Sequence, residues 1–171
     1  EEVNRKIIDH TSDILLPYTS GSRKNLLMEG IKSKNIIVTG NPITEVIDFN
    51  KNKIIKSKIL QKLNLKINNF FVLTMHRQEN VDDLKVLKKF IFFFNKIVKR
   101  YNRKIVWPIH PRSKKMLKSN KIFLDPRLIL IKPLGFFDFV RLEKDCLMTL
   151  TDSGTVQEES SILKKPCLII R

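Results

Sequence analysis

Apolar and polar positions follow two rhythms along this chain. From residue 70 onward, short continuous apolar runs (Phe70-Phe71-Val72-Leu73, Ile105-Val106-Trp107, Leu128-Ile129-Leu130-Ile131, Cys167-Leu168-Ile169-Ile170) alternate with stretches whose apolar residues recur three and four apart. Continuous runs of this length mark strands buried on both faces, and the three-and-four spacing marks amphipathic helices. The pattern predicts strands over residues 70–75, 104–109, 128–131, 146–150 and 167–170, with helices over 82–101, 113–118, 137–144 and 155–163 between them. Before residue 70 it predicts helices over 1–12, 20–29, 44–50 and 54–63, strands over 13–16 and 35–39, and a polar loop over 64–69. Gly21, Gly30, Gly40, Gly135 and Gly154 all fall in the expected turns or helix ends.

Strands separated by helices imply a parallel, doubly wound sheet, an α/β architecture whose ligands sit at the carboxyl ends of the strands. Gly40-Asn41-Pro42 interrupts the alternation. The expected organisation is therefore the end of one Rossmann-like half over residues 1–39, a crossover with linker helices over 40–69, and a second Rossmann-like half over 70–171. The chain opens inside a helix start and stops as a core strand ends, so it is expected to be truncated at both ends. No internal repeat or low-complexity tract interrupts it.

Composition changes this picture little. A chain of 171 residues, 42% hydrophobic, can bury a substantial core. Cys146 and Cys167 each lie in an apolar run, which fits buried free thiols in a reducing compartment better than a disulfide framework. No apolar run approaches the roughly 20 residues a membrane helix needs, and no signal peptide is evident, so a cytoplasmic location is expected and no membrane partner. The net charge of +16 invites nucleic acid. Yet the lysines are scattered through Ile- and Asn-rich helices, without zinc spacing, an aromatic stacking motif or an RNA-binding signature. Solvated lysine faces are the expectation, and a basic nucleic-acid-binding module is the rival from another class.

Chemistry concentrates where the strands end. Thr151-Asp152-Ser153-Gly154-Thr155-Val156-Gln157-Glu158-Glu159 follows an apolar strand and opens a helix, whose free N–H groups favour an anion such as a phosphate. Glu159 lies six positions after Ser153, roughly 9 Å along the helix axis, too far for that phosphate but placed to accept from a ribose diol. The competing interpretation is a helix capped by Asp152 or Ser153 with no ligand. Companion loops follow the other strands: His76-Arg77-Gln78-Glu79-Asn80, His110-Pro111-Arg112 and Pro133-Leu134-Gly135-Phe136. Two histidines, two arginines and a helix mouth on one rim suit an anionic ligand. Each histidine can equally be structural, and Phe136, Phe137 and Phe139 can be core residues or a surface for a base.

These motifs together resemble the UDP-N-acetylglucosamine 2-epimerases. Residues 74–80, 108–112, 132–136 and 151–159 look like that family's successive motifs, and residues 1–5 and 39–42 look like its preceding segments, so the resemblance covers essentially the whole chain in order. It implies a glycosyltransferase-B-like fold of two Rossmann-like halves with the nucleotide sugar between them. By resemblance, Ser153, Gly154 and Thr155 bind the diphosphate, Glu159 the ribose hydroxyls, and Leu134 with Phe139 the uracil. His76 matches the family's active-site histidine and Glu1 one of its catalytic-region carboxylates. Arg77 and His110 match positions that line the substrate and, in some bacterial members, an adjoining regulatory site.

The implied reaction inverts C2 of UDP-N-acetylglucosamine, eliminating UDP to a 2-acetamidoglucal and re-adding it, for surface-polysaccharide precursors. It requires a base, an acid and strong stabilisation of departing UDP. No cofactor or metal is expected, and a homodimer is expected of the full-length protein. The resemblance places the remaining carboxylates and the first basic loop upstream of Glu1, so these residues alone are expected to be inactive. Thr155 stands where many members have glycine, and Ser160-Ser161-Ile162-Leu163 resembles the branch acting on diacetamido- or deoxy-sugar nucleotides. A hydrolysing epimerase, an epimerase of such a sugar, and a glycosyltransferase of the same fold are the enzyme alternatives.

Overall fold

The computed structural model describes residues 2–170, and every side chain among them but that of Arg112. The chain divides between Asp48 and Phe49 into two compact units, a boundary inside the segment over residues 40–69 where a crossover was expected.

The first unit holds α1 (Glu2–Thr11), α2 (Ser20–Met28) and most of α3 (Ile43–Phe49). Thr19 starts α2 by accepting from the Ser22 N–H. The two strands expected here reduce to one parallel bridge between Leu15 and Ile36. Extended backbone is present, with Leu15 N–H donating to Asn35, Ile37 N–H to Leu15 and Thr39 N–H to Pro17. However, Pro17 has no N–H to extend the ladder, and residues Ser33–Asn35 turn into a short 3-10 helix. Leu15, Leu26 and Ile36 form the small core of this unit.

The second unit begins with α4 (Lys51–Lys56) and α5 (Ile59–Lys62), where a single helix over 54–63 was expected. Ser57 breaks that helix: it takes extended backbone, and its hydroxyl accepts from the Ile59 N–H and pairs with Asp138. There follow β1 (Phe70–Thr74), α6 (Gln78–Val81), α7 (Leu84–Tyr101), β2 (Lys104–Pro108), α8 (Pro111–Ser119), β3 (Leu128–Ile131), α9 (Phe136–Asp145), β4 (Met148–Thr151), α10 (Gly154–Ile162) and β5 (Cys167–Ile169). The strands form one parallel sheet in the order β3-β2-β1-β4-β5. The order reverses direction at β1, as doubly wound sheets do, and all five carboxyl ends share one edge.

Strand alternation sends successive residues to opposite faces, and two cores result. Phe71, Leu73 and Met75 join Ile105, Trp107 and Ile109 beneath Leu87, Ile91, Phe94 and Val98 of α7. Phe70 and Val72 join Val106, Leu142 and Cys146 beneath α5 and α9. Helix α7 starts at Asp83, whose carboxylate accepts from Lys85 and Val86 N–H groups, and ends at Asn102 in the left-handed conformation. Both cysteines are free; Cys146 is buried, but Cys167 on the edge strand β5 is only half-buried. No helix among the described residues is long and apolar enough to cross a membrane.

Candidate nucleotide site

The rim of the second unit is built on the turn from β4 into α10. Thr151 Oγ1 accepts from the Ser153 N–H and pairs with Thr74 Oγ1 at 2.5 Å, tying the end of β4 to that of β1. Ser153 occupies the N-cap position of α10, yet its side chain makes no capping hydrogen bond. The first N–H groups of α10 have no intrahelical acceptor, so the helix start is left with its donors for an outside anion. Gly154 and Thr155 are exposed there, and a Cβ at Gly154 would meet nothing within 4 Å. The three residues expected to hold a diphosphate thus stand together at an open helix mouth.

Asp152 does not cap the helix. Fully buried, it reaches back to the loop after β1: Oδ2 accepts from the N–H of Arg77 at 2.9 Å, the N–H of His76 at 3.0 Å and Asn80 Nδ2 at 3.0 Å. Its Oδ1 lies 3.2 Å from His76 Nδ1, and its backbone oxygen accepts from Arg77 Nε at 2.8 Å. A buried carboxylate is tolerated only when donors surround it, and here they do. The consequence is that His76 and Arg77 are held against the β4–α10 turn, with the His76 side chain 62% exposed on the rim.

Glu159 sits about one and a half turns into α10 and is buried. It faces Glu143 of α9, which is wholly buried and has no donor near either carboxyl oxygen when both groups are ionised. Burial first, and the Glu159 charge second, push the Glu143 carboxyl up to about 9. Glu143 therefore holds a proton at neutral pH and can donate it in a hydrogen bond to Glu159. Burial also raises Glu159, while the hydrogen bond from Glu143 pulls it back. The carboxylate expected at the ribose is thus buttressed from behind by a neutral acid.

Leu134 and Phe139 are half-buried and pack on the core under α9, which brings them together at the end of β3. Phe137 is the exposed ring of this segment, edge-on to Phe136 and with the Lys53 ammonium 5.5 Å from its centre. His110 is exposed just past the end of β2, where its backbone oxygen accepts from Lys114 as α8 begins. Glu1 and the side chain of Arg112 lie outside the described residues. Among the described residues no group of His, Cys, Asp and Glu could hold a metal ion. Sequence patterning picked out the helix mouth and the histidine loop but missed Asp152 as the link between them, and missed Glu143. The available signal for Glu143 was an acid three positions after Val140, on the buried face of α9.

Comparison with known proteins identifies the family. The family model described as UDP-N-acetylglucosamine 2-epimerase matches residues 1–171. A curated UDP-N-acetylglucosamine 2-epimerase of Methanococcus maripaludis is 37% identical over 178 residues, covering 100% of this chain and 49% of its own length. The crystal structure of the Methanocaldococcus jannaschii UDP-GlcNAc 2-epimerase in complex with UDP-GlcNAc and UDP superimposes with a TM-score of 0.88 at 39% identity, over 100% of this chain and 49% of that one. The wall teichoic acid polymerase TagF, 18% identical with a TM-score of 0.53 over 99% of this chain and 40% of its own, shares the glycosyltransferase-B-like fold alone. The chain spans about half the length of the curated relatives it matches, and it belongs to the UDP-N-acetylglucosamine 2-epimerase family.

Proposed function

We propose that this chain supplies the UDP-binding part of an enzyme that inverts C2 of UDP-N-acetylglucosamine to give UDP-N-acetylmannosamine. The open mouth of α10, with His76 and Arg77 clamped beside it by Asp152, carries the proposal. A departing UDP brings two phosphates, and helix-start N–H groups with a guanidinium are suited to that charge. In this account Ser153, Gly154 and Thr155 receive the diphosphate, Arg77 and His110 line the substrate, Glu159 accepts from the ribose, and Leu134 with Phe139 borders the uracil. His76 meets the reacting sugar as a catalytic group together with Glu1. Full epimerisation proceeds by elimination and re-addition of UDP, without release of free sugar, and the product serves surface-polysaccharide synthesis. The two free thiols support a cytoplasmic setting. A homodimer is proposed for the longer protein.

Calorimetric titration of these 171 residues with UDP tests the reading. UDP binding without turnover of UDP-N-acetylglucosamine is the expected result. Absence of UDP binding by the folded chain, with salt-dependent DNA or RNA binding that survives Ser153→Ala and Glu159→Ala, would replace it with a nucleic-acid-binding module.

A further inference from the structure

Four hydrogen-bond donors converge on the Asp152 carboxylate from the loop after β1 and from Asn80. Oδ2 accepts three N–H donors at 2.9 to 3.0 Å, while Oδ1 takes a longer share of the His76 N–H, at 3.2 Å, and faces the ring at His76 Nδ1, also at 3.2 Å. An acceptor opposite a ring nitrogen requires that nitrogen to carry the hydrogen. We propose that Asp152 is a positioning residue that fixes His76 with its hydrogen on Nδ1, so that Nε2 is the ring atom offered to the nucleotide sugar.

The consequence is a defined role for a side chain that is otherwise 62% exposed and free to rotate. Neutral, His76 presents an Nε2 lone pair that accepts a proton or a hydrogen bond. Protonated, it presents an Nε2–H donor to a phosphate oxygen, with the buried carboxylate balancing the charge on the far side of the ring. The same carboxylate fixes the backbone N–H groups of His76 and Arg77, so both residues are set by one buried group in the turn after β4. The identity of the ligand at Nε2 rests on the UDP-sugar reading; the tautomer and the orientation of the ring do not.

Asp152→Asn makes the idea testable because the geometry dictates how asparagine must sit. Its single oxygen has to take the Oδ2 place, where three donors point, and its amide –NH2 then faces His76 Nδ1. A donor there requires Nδ1 to accept, so the hydrogen moves to Nε2. The experiment is a long-range 1H–15N spectrum of the 15N-histidine-labelled chain, recorded above the histidine titration range, with His76→Asn assigning the His76 signal among the three histidines. Wild type should show His76 protonated at Nδ1, and D152N should show the pattern reversed while His10 and His110 keep theirs. A wild-type His76 protonated at Nε2 would overturn the proposal without need of the variant, as would a folded D152N chain that keeps the Nδ1–H pattern. Adding UDP to the wild-type sample separates the two claims: the expected tautomer with no UDP response leaves the positioning role standing and removes the nucleotide reading, whereas a UDP response with the wrong tautomer does the reverse.

Discussion

Glu143 offers the sharpest thermodynamic test of this architecture. Its carboxyl is held at about 9 in the folded chain, against 4.5 as the ordinary value, so the folded state keeps a proton that the unfolded state gives up across that window. An acid whose folded value is raised costs nothing below the ordinary value and lowers stability progressively as pH rises toward the folded value. Each pH unit inside the window is worth about 1.4 kcal/mol, so stability should fall by about 2–3 kcal/mol from this group between about pH 5.5 and 7.5. Glu143→Gln removes the titration while keeping the volume and an N–H donor aimed at Glu159. Urea unfolding of both proteins at the two pH values isolates the effect from the many exposed lysines, because only the difference between the proteins is read. That difference should grow in favour of E143Q by about 2–3 kcal/mol on going to the higher pH. A difference that stays constant to within about 0.5 kcal/mol would show that Glu143 does not hold its proton, and the neutral buttress behind Glu159 would be wrong.

Three further outcomes follow from other parts of the structure. Gly154→Ala places a methyl in open space at the helix mouth, so thermal unfolding should move by no more than about 0.5 kcal/mol, while UDP affinity measured by calorimetry should drop at least about tenfold, or 1.4 kcal/mol. Phe94→Ala empties the centre of the larger core, where the ring packs on Trp107 and Phe90, and denaturant titration should register a loss of about 3–5 kcal/mol. Asp83→Ala removes the acceptor for the Lys85 and Val86 N–H groups at the start of α7, which should cost about 1 kcal/mol in the same titration.

The parts of the fold that were legible in sequence are those where one physical signal dominates. The central strands β1 and β2 were readable because they are buried on both faces and therefore continuously apolar, and the edge strands β3 and β5 because they are short apolar runs even where, as at Leu168 and Ile169, the side chains stay exposed. The first unit misled for the opposite reason. Ile14, Leu16, Ile37 and Val38 read as strand residues, yet they are exposed around a single bridge, because Pro17 and the turn at Ser33–Asn35 limit pairing. Ser57 split a helix through a side chain to backbone hydrogen bond, a local preference that hydrophobic periodicity does not register. At the rim, sequence located the anion mouth because strand-to-helix turns have their own signature. It did not locate the clamp, because Asp152 looks like a cap residue until β1 and β4 are known to be neighbours. Glu143 was hidden for a related reason: an acid in a helix reads as solvated unless its face is known to be covered.

Mapping UDP onto the chain by amide chemical shifts tests the central claim most directly. Titration of the 15N-labelled protein should perturb His76 and Arg77 after β1, Leu134 to Phe139 around the start of α9, and Ser153 to Glu159 along α10. The signals of the α10 mouth should respond to inorganic diphosphate as well, while those near Leu134 and Phe139 should respond only when uridine is present. A folded chain whose α10 mouth gives no response to UDP, or whose responses cluster away from the carboxyl edge of the sheet, would contradict the account.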